Sequence, residues 1–405
     1  MFDKQTFDII SSSFHANPHP VLDRMRAEGP VVSIKLPIIG RIWLTVTFDA
    51  CAELLKGHEY FARDPANAGS RTQERILRFL PRTIGLLALN MLGHDDPEHR
   101  RLRGLVDRAF QRRSIAVLRP LITQTADRLL DRLEGRPDAD LMVEYCRDLP
   151  LSVICAMLGL PEKDHDRFKD WLGGLKDTAN IAAVIRAIPG VIRVVRYLRR
   201  ASRPGGGAQP EGLIAALRDV QVDGHTLSED ELVSMIFLLF GAGQETTTHL
   251  IAGGLLELLS REDQLHRLRS DSGLMPGCVE ECLRHVSPVQ MTKPRFLTRD
   301  LEWMGRKFQR GDMFAAFLAA ANCDPAKFER PHAFDIARHP NPHLSFGTGV
   351  HFCLGFQLAR AEAAIGFERL LLRFPRIRLD PKVGVRWHKR VGIRALTGLP
   401  VRLGT

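Results

Sequence analysis

Apolar residues alternate or run with β-branched ones over VVSIKL (31–36) and IWLTVTF (42–48), which predicts a short β-hairpin. Beyond it the apolar positions recur with the 3.6-residue period of helices. DDPEHRRLRGLVDRAF (95–110) offers Asp96 as N-cap, Pro97 at the first helical position and Glu98 in the first turn. SIAVLRPLITQTADRLLDRLEG (114–135) and LMVEYCRDLPLSVICAMLGL (141–160) continue the helical period. SRPGGGAQP (202–210) has the composition of a flexible loop, but helical patterns flank it, so it reads as a surface loop and not a domain boundary. Short strands return at Trp387, Val391–Leu396 and Pro400–Leu403. The pattern is that of a mainly α chain: a large helical domain spanning 1–405 with a small β-rich region, mainly about 30–48 and 385–405.

The segment 227–262, LSEDELVSMIFLLFGAGQETTTHLIAGGLLELLSRE, is the longest helical pattern. Ser228 with Glu231 three residues later forms a capping box. About thirty helical residues would span roughly 45 Å, enough to cross a domain. Its middle is apolar on nearly every face, which predicts burial. GAGQETT (241–247) interrupts it with two helix-weakening glycines, a carboxylate at Glu245 and hydroxyls at Thr246 and Thr247. A close helix crossing would account for the glycines, and threonine hydroxyls can bond the preceding turn. A buried carboxylate, however, must be paired, protonated or in use. A flat cofactor against the glycines, beside acid and alcohol, would account for all three.

Composition narrows the class. With 405 residues, 44% hydrophobic and 26% charged, the chain is an ordinary globular one. Its N-terminus has no basic region followed by an apolar signal segment and no run long enough to span a bilayer, so the expectation is a cytoplasmic protein. The seven cysteines (51, 146, 155, 278, 282, 323, 353) never show CxxC spacing, which argues against a disulfide framework or structural zinc. The net charge of +10 is compatible with nucleic acid, but no zinc-finger spacing, RNP-like run or basic tail is present, so no nucleic-acid partner is expected. A solvated basic surface, or one that docks an acidic protein, is the alternative.

HLSFGTGVHFCLG (343–355) places three glycines, a histidine and a cysteine just ahead of the helical pattern LGFQLARAEAAIGFERLLLRF (354–374). It lacks the lysine of a phosphate-binding P-loop, and its third glycine falls too late for a dinucleotide fingerprint. Backbone N–H groups at a helix start favour an anion and lower a thiol's pKa. A thiolate held there suits a soft metal or a haem iron. A cysteine simply buried at a helix start is the other reading.

FGTGVHFCLG resembles the haem-binding loop FxxGxxxCxG of the cytochrome P-450 family, at Phe346, Gly349, Cys353 and Gly355. AGQET (242–246) resembles the family's oxygen-binding groove AGx[DE]T, with Ala242 and Gly243 against the ring. Glu281 to Arg284 matches the ExxR pair within VEECLRHVSPVQ, and FDIAR (334–338), NPHLSFG (341–347) and DDPEHRRLR (95–103) follow family patterns. The resemblance runs from about residue 90 to the C-terminus. It implies a cytochrome P-450 fold, haem b (iron protoporphyrin IX) as cofactor and a haem-thiolate monooxygenase that inserts one oxygen atom from O2 into a hydrophobic small molecule. A peroxide-driven peroxygenase and a non-catalytic haem protein are the alternatives within the same cofactor class.

By the same resemblance Cys353 is the thiolate ligand, shielded by Phe346, while Gly349 and Gly355 permit the tight turn and close helix approach. His99, Arg103, Arg295 and His351 would bind the propionates; His99 and Arg103, four apart, independently share one helix face. Glu281, Arg284 and Arg338 would form a structural network. Thr246 and Glu245 would deliver protons, and their presence disfavours the peroxygenase. Two departures stand out: Gln244 replaces a frequent histidine, and Cys323 replaces a usual arginine. The substrate pocket would draw on Ile84–Leu89, Phe237, Phe240, Gly241, Val289–Thr292 and Val391–Ile393, Gly392 included. That set is apolar and implies orientation by shape. IAAVIRAIPGVIRVVRYLRR (181–200) is amphipathic and basic, either a solvated helix pair with an apolar underside or a segment that admits a lipophilic or anionic substrate or touches a membrane surface. With no flavin or iron–sulfur motif, electrons must come from a separate partner. Arg100, Arg101, Arg108, Arg112 and Arg113 would dock an acidic ferredoxin or flavodoxin, itself served by a reductase.

Overall fold

The computed structural model describes residues 7–36, 40–69, 85–111, 115–172 and 181–404. Ile84, Arg112 and Arg113 lie outside them. The elements that position the site are helices α1 (Phe48–Lys56), α2 (Glu98–Gln111), α3 (Ile115–Asp131), α4 (Asp148–Leu158), α5 (Ile181–Ala201), α6 (Glu229–Leu259), α7 (Met275–Val286) and α8 (Phe356–Arg373).

The hairpin expected from the alternating pattern forms as β1 (Val31–Leu36) and β2 (Gly40–Thr45), paired antiparallel with Val31 opposite Thr45. The second strand ends earlier than its apolar run because Thr47 caps α1, accepting from the Ala50 N–H. Strands β3 (Phe61–Ala62), β4 (Arg295–Leu297) and β5 (Met313–Ala316) complete a five-stranded sheet in the order β1-β2-β5-β4-β3. The C-terminal stretch differs from expectation. Residues 391–395 form a turn around Gly392, and the flanking strands are Arg386–Trp387, Leu396–Gly398 and Pro400–Arg402. The last pairs with Asp138–Asp140, which the sequence pattern did not suggest.

Helix α6 crosses the helical layer and packs against α4, α5, α7 and α8. Its capping box is present on both sides: the Glu231 N–H donates to Ser228 Oγ, and the Ser228 N–H donates to Glu231. The close crossings depend on Gly253 and Gly254. A Cβ on the first would lie 2.4 Å from a Val286 methyl of α7, and on the second 2.5 Å from the Phe367 ring of α8. Helix α5 buries Val191, Val194, Val195 and Leu198 and exposes Arg193, Arg196 and Arg200, as a solvated basic helix with an apolar underside does. The 202–210 loop is pinned back on the fold by the Gln209 N–H donating to the Gly159 carbonyl. Helix α2 begins at Glu98, and the Asp96 carboxylate serves the side chains of His99 and Arg100, not the expected backbone cap.

Glu281 and Arg284 on α7 are fully buried and paired through two hydrogen bonds of 2.7 and 2.8 Å. Arg338 donates to the same carboxylate, which also accepts from Asn341 and the Asp335 N–H. The remaining guanidinium protons of both arginines go to carbonyls of residues 322 and 329–333. Removing one partner of such a pair leaves an uncompensated buried charge, costing about 3–5 kcal/mol. Arg284→Ala is therefore expected to lower the thermal unfolding midpoint sharply. Arg338→Lys, which keeps the charge but not the fork, should lower it less. An unchanged midpoint for Arg284→Ala would contradict the network's role.

Candidate active site

The loop before α8 is built on a constraint that only glycine meets. Gly349 has φ +75°, and a Cβ there would stand 2.7 Å from the Leu55 carbonyl oxygen of α1. Gly355, by contrast, has φ −84° and open space at its Cβ position, so it does not serve the close helix approach that the loop pattern suggested. The loop closes through the Cys353 N–H, which donates to the Phe346 carbonyl at 3.0 Å. Six of the seven cysteines are buried; Cys353 alone is not. Around it stand the rings of Phe346, Phe352 and Phe356, and Arg360 of α8 lies 4.6 Å from the centre of the Phe346 ring. Burial pushes the Cys353 thiol up, while the Gly355 N–H, Arg103 and Arg360 pull it down; burial wins. The helix start alone thus does not make the thiolate, contrary to the expectation from the dipole. Metal coordination, which deprotonates a thiol outright, would supply what is missing.

Beside this loop the fold collects basic groups. The His99 and His351 rings lie 4.2 Å apart. Arg295, at the start of β4, is buried, with its end groups on the Leu54 and Leu55 carbonyls and its Nε without a partner. Arg63, which no spacing in the sequence singled out, is also buried with an unpartnered Nε. Burial and mutual repulsion hold Arg63 at about 9, burial holds Arg295 at about 10, and His351 falls to about 2 through burial and then Arg63, His99, Arg295 and Arg103. His99 Nε2 is buried and unpartnered. A cavity of about 160 Å³ lies among His58, His99, Arg295, His351 and the carboxylates Asp95 and Asp96. Asp95 is occupied with the Arg63 and Asp64 N–H groups and Asn67. Arg103 reaches the loop directly, donating to the Phe352 carbonyl at 2.9 Å, and also pairs with Asp107.

The polar break lies in the middle of α6. Ala242 is exposed in mid-helix, and nothing lies within 4 Å of a Cβ on Gly241. Gly243 faces the other way, its Cβ position 3.1 Å from Ile154 of α4, so this glycine has the packing role. Thr246 Oγ donates to the Ala242 carbonyl at 2.7 Å. Glu245 is ion-paired with Arg390, a buried residue of the C-terminal turn that sequence reasoning missed. Gln244 points to Thr248, away from that face. Phe237 is partly exposed, whereas Phe240 is 1% exposed with its ring 4.9 Å from Phe168. Phe240 is core, not pocket wall. Val289 pairs with Ile393 as an isolated bridge, Gly392 accepts from the Gln290 N–H, and the Thr292 hydroxyl accepts from Ala316, so these segments stand together. A wider groove of about 1180 Å³, lined among others by Arg119, Asp127 and Glu162, contains none of these residues.

Residues 198–386 match the family model described as Cytochrome P450. The chain is 37% identical over 410 residues to the polyketide biosynthesis cytochrome P450 PksS of Bacillus subtilis (strain 168), covering 99% of each chain. It is 38% identical over 400 residues to the cytochrome P450 monooxygenase PikC of Streptomyces venezuelae, covering 97% of this chain and 92% of that one. It also matches the crystal structure of myxobacterial cytochrome P450 CYP267B1 in complex with myristic acid, with a TM-score of 0.90, 39% identity and 98% of both chains covered. The chain belongs to the cytochrome P450 family.

P450s bind haem b through a cysteine thiolate. The residues present fit that group: one partly exposed cysteine in a glycine-turned loop, and next to it buried basic groups of which Arg63 Nε, Arg295 Nε and His99 Nε2 lack partners. The chain is accordingly a haem-thiolate monooxygenase of a hydrophobic small molecule, working with a redox partner. No helix among the described residues is long and apolar enough to cross a membrane. Of the basic residues expected on α2, Arg108 and Arg100 are exposed, but Arg101 is spent on Glu98 and Glu231, tying α2 to α6.

Gly349→Ala tests the loop. It adds a methyl where φ is positive and the Leu55 carbonyl already stands, so purified protein should carry much less haem per chain while the helical circular dichroism holds. Full haem content in this variant would show that the turn is not the constraint.

Proposed function

We propose that Cys353 is the axial thiolate of the haem and that His99, Arg103, Arg295, His351 and additionally Arg63 neutralise its propionates. One observation carries this reading: the single cysteine outside the core adjoins a cluster of buried basic groups in which Arg63 Nε, Arg295 Nε and His99 Nε2 have no hydrogen-bond partner. When bound, the haem supplies reductive activation of O2 on a thiolate-bound iron. The chain's own residues do the rest. Phe346, Phe352 and Phe356 exclude water from the sulfur side. Ala242 and Gly241 leave room along α6 for the flat group and for the substrate.

Thr246 Oγ gives its proton to the Ala242 carbonyl and keeps its lone pairs for an ordered water, which can pass a proton onward. Glu245, half-buried and held by Arg390, serves as the carboxylate that resupplies that water. Arg390 is a positioning residue: it fixes the acid and links it to the turn carrying Gly392 and Ile393. Phe237, Gly241, Val289, Thr292, Gly392 and Ile393 form an apolar wall, so the substrate is a hydrophobic small molecule oriented by shape. Relatives named for polyketide biosynthesis and for bound myristic acid are consistent with a lipophilic acyl or polyketide compound. Arg100 and Arg108 favour an acidic ferredoxin or flavodoxin as the electron donor, acting in the cytoplasm.

Reconstitution with an acidic ferredoxin and its reductase tests this, using myristic acid and polyketide lactones as probes under labelled O2. Product should carry one labelled oxygen, and added salt should raise the ferredoxin concentration needed. Thr246→Ala should consume NADPH with less product per electron pair. Label arriving from water, or product formed equally well by Thr246→Ala, would overturn the assignment.

A further inference from the structure

The N-terminal helix His19–Ala27 packs near the segment 318–333, and three side chains that no haem chemistry uses converge there. Donor atoms of His19, Cys323 and His332 all lie within 4.8 Å of one another, the one such group of metal-ligating side chains among the described residues. Cys323 is buried, whereas His332 is exposed, so the cluster has an inner sulfur and an outer imidazole open to solvent. His19 Nδ1 is buried without a hydrogen-bond partner. Around these three the surroundings are those of a built site. Asp23 stands 2.9 Å from His332 Nε2, supplying the carboxylate that metal-binding imidazoles use to fix their orientation. Arg26 donates to Cys323 Sγ at 3.3 Å and to the Ala320 carbonyl, which stabilises charge on the sulfur.

We propose that His19, Cys323 and His332 bind a zinc ion. One thiolate and two imidazoles are a zinc donor set, and oxygen-loving cations would not choose it. Tetrahedral zinc places its donors about 3.5 Å apart, so the cluster needs to contract by about 1 Å. The exposed His332 side chain has the freedom to make that movement. On binding, the thiol hydrogen now shared with the Ala319 carbonyl leaves as a proton to solvent, and the sulfur lone pair goes to the metal. Zinc here would act as a clip. It would tie the N-terminal helix to the 331–333 segment, whose carbonyls receive Arg284 and His285. The ion therefore braces the buried network from behind, far along the chain from the haem loop.

The test uses the haem-loaded protein and zinc itself. After dialysis against Zn2+ and then metal-free buffer, wild type should retain about one zinc per haem iron by elemental analysis. Zinc should also raise the temperature at which the Soret band is lost. His332→Ala, which alters an exposed side chain and should fold, is expected to weaken zinc binding at least tenfold and abolish the thermal shift. Cys323→Ser should do the same, and Asp23→Asn should weaken binding roughly 10–100-fold. No retained zinc in wild type, or retention unchanged in His332→Ala, would overturn the proposal.

Discussion

Positive charge buried away from water has to be neutralised, deprotonated or hydrogen-bonded, and in this chain one group of basic residues is only partly satisfied: Arg63 and Arg295 rest on backbone carbonyls, with each Nε and His99 Nε2 left without a partner. Arg63, Arg295, His99 and His351 converge beside the Cys353 loop; burial lowers the proton affinity of all four, Arg295 lowers that of Arg63 further, and Arg63, His99 and Arg295 lower that of His351. Of the two carboxylates beside them, Asp95 is already engaged by backbone N–H groups and Asp96 by the His99 and Arg100 side chains. A fold that tolerates such repulsion is waiting for an anion. The family's cofactor brings two carboxylates to one side of a flat ring, and its iron calls for the thiolate that burial otherwise disfavours. Both deficits are removed by the same group.

The rest of the architecture holds that arrangement in place. Glu281, Arg284 and Arg338 lock the segment that precedes the loop, and Ser345 and Asn322 carry the connection to residues 344 and 345. Gly253 and Gly254 let α7 and α8 approach α6 closely, so the helix that carries the polar break is fixed against the helix that follows the loop. Arg360, which pairs with Glu280 on α7 and covers Phe346, joins the scaffold to the sulfur environment. Coupling between fold and site is thus covalently short: α8 starts three residues after Cys353 and α7 carries the network.

Much of this was legible from the residues because the requirements are local. The Ser228–Glu231 box and the Glu281–Arg284 spacing each depend on neighbours a few positions apart and took the form expected, and the 31–36 and 42–48 alternation gave its hairpin with the second strand shifted to Gly40–Thr45. The polar break at Glu245 and Thr246 stood out since such groups are costly in an apolar helix. What the sequence concealed was long-range. Arg63 is 232 residues from its neighbour Arg295 and has no motif around it. Arg390 meets Glu245 across 145 residues. Phe240 sits one residue from the break, yet the helix turns it into the core toward Phe168, which periodicity alone does not decide when every face is apolar. Asp96 was drawn from its cap by His99 and Arg100, a competition between side chains that a capping rule does not weigh.

The central claim is that Cys353 alone supplies the sulfur to the haem, and the absorption spectrum of the reduced carbon monoxide complex reads that bond directly. Wild type is expected to show the red-shifted Soret band of a thiolate-bound haem, and Cys353→Ala should lose it even when haem is retained. A thiolate-type band that persists in Cys353→Ala would contradict the account.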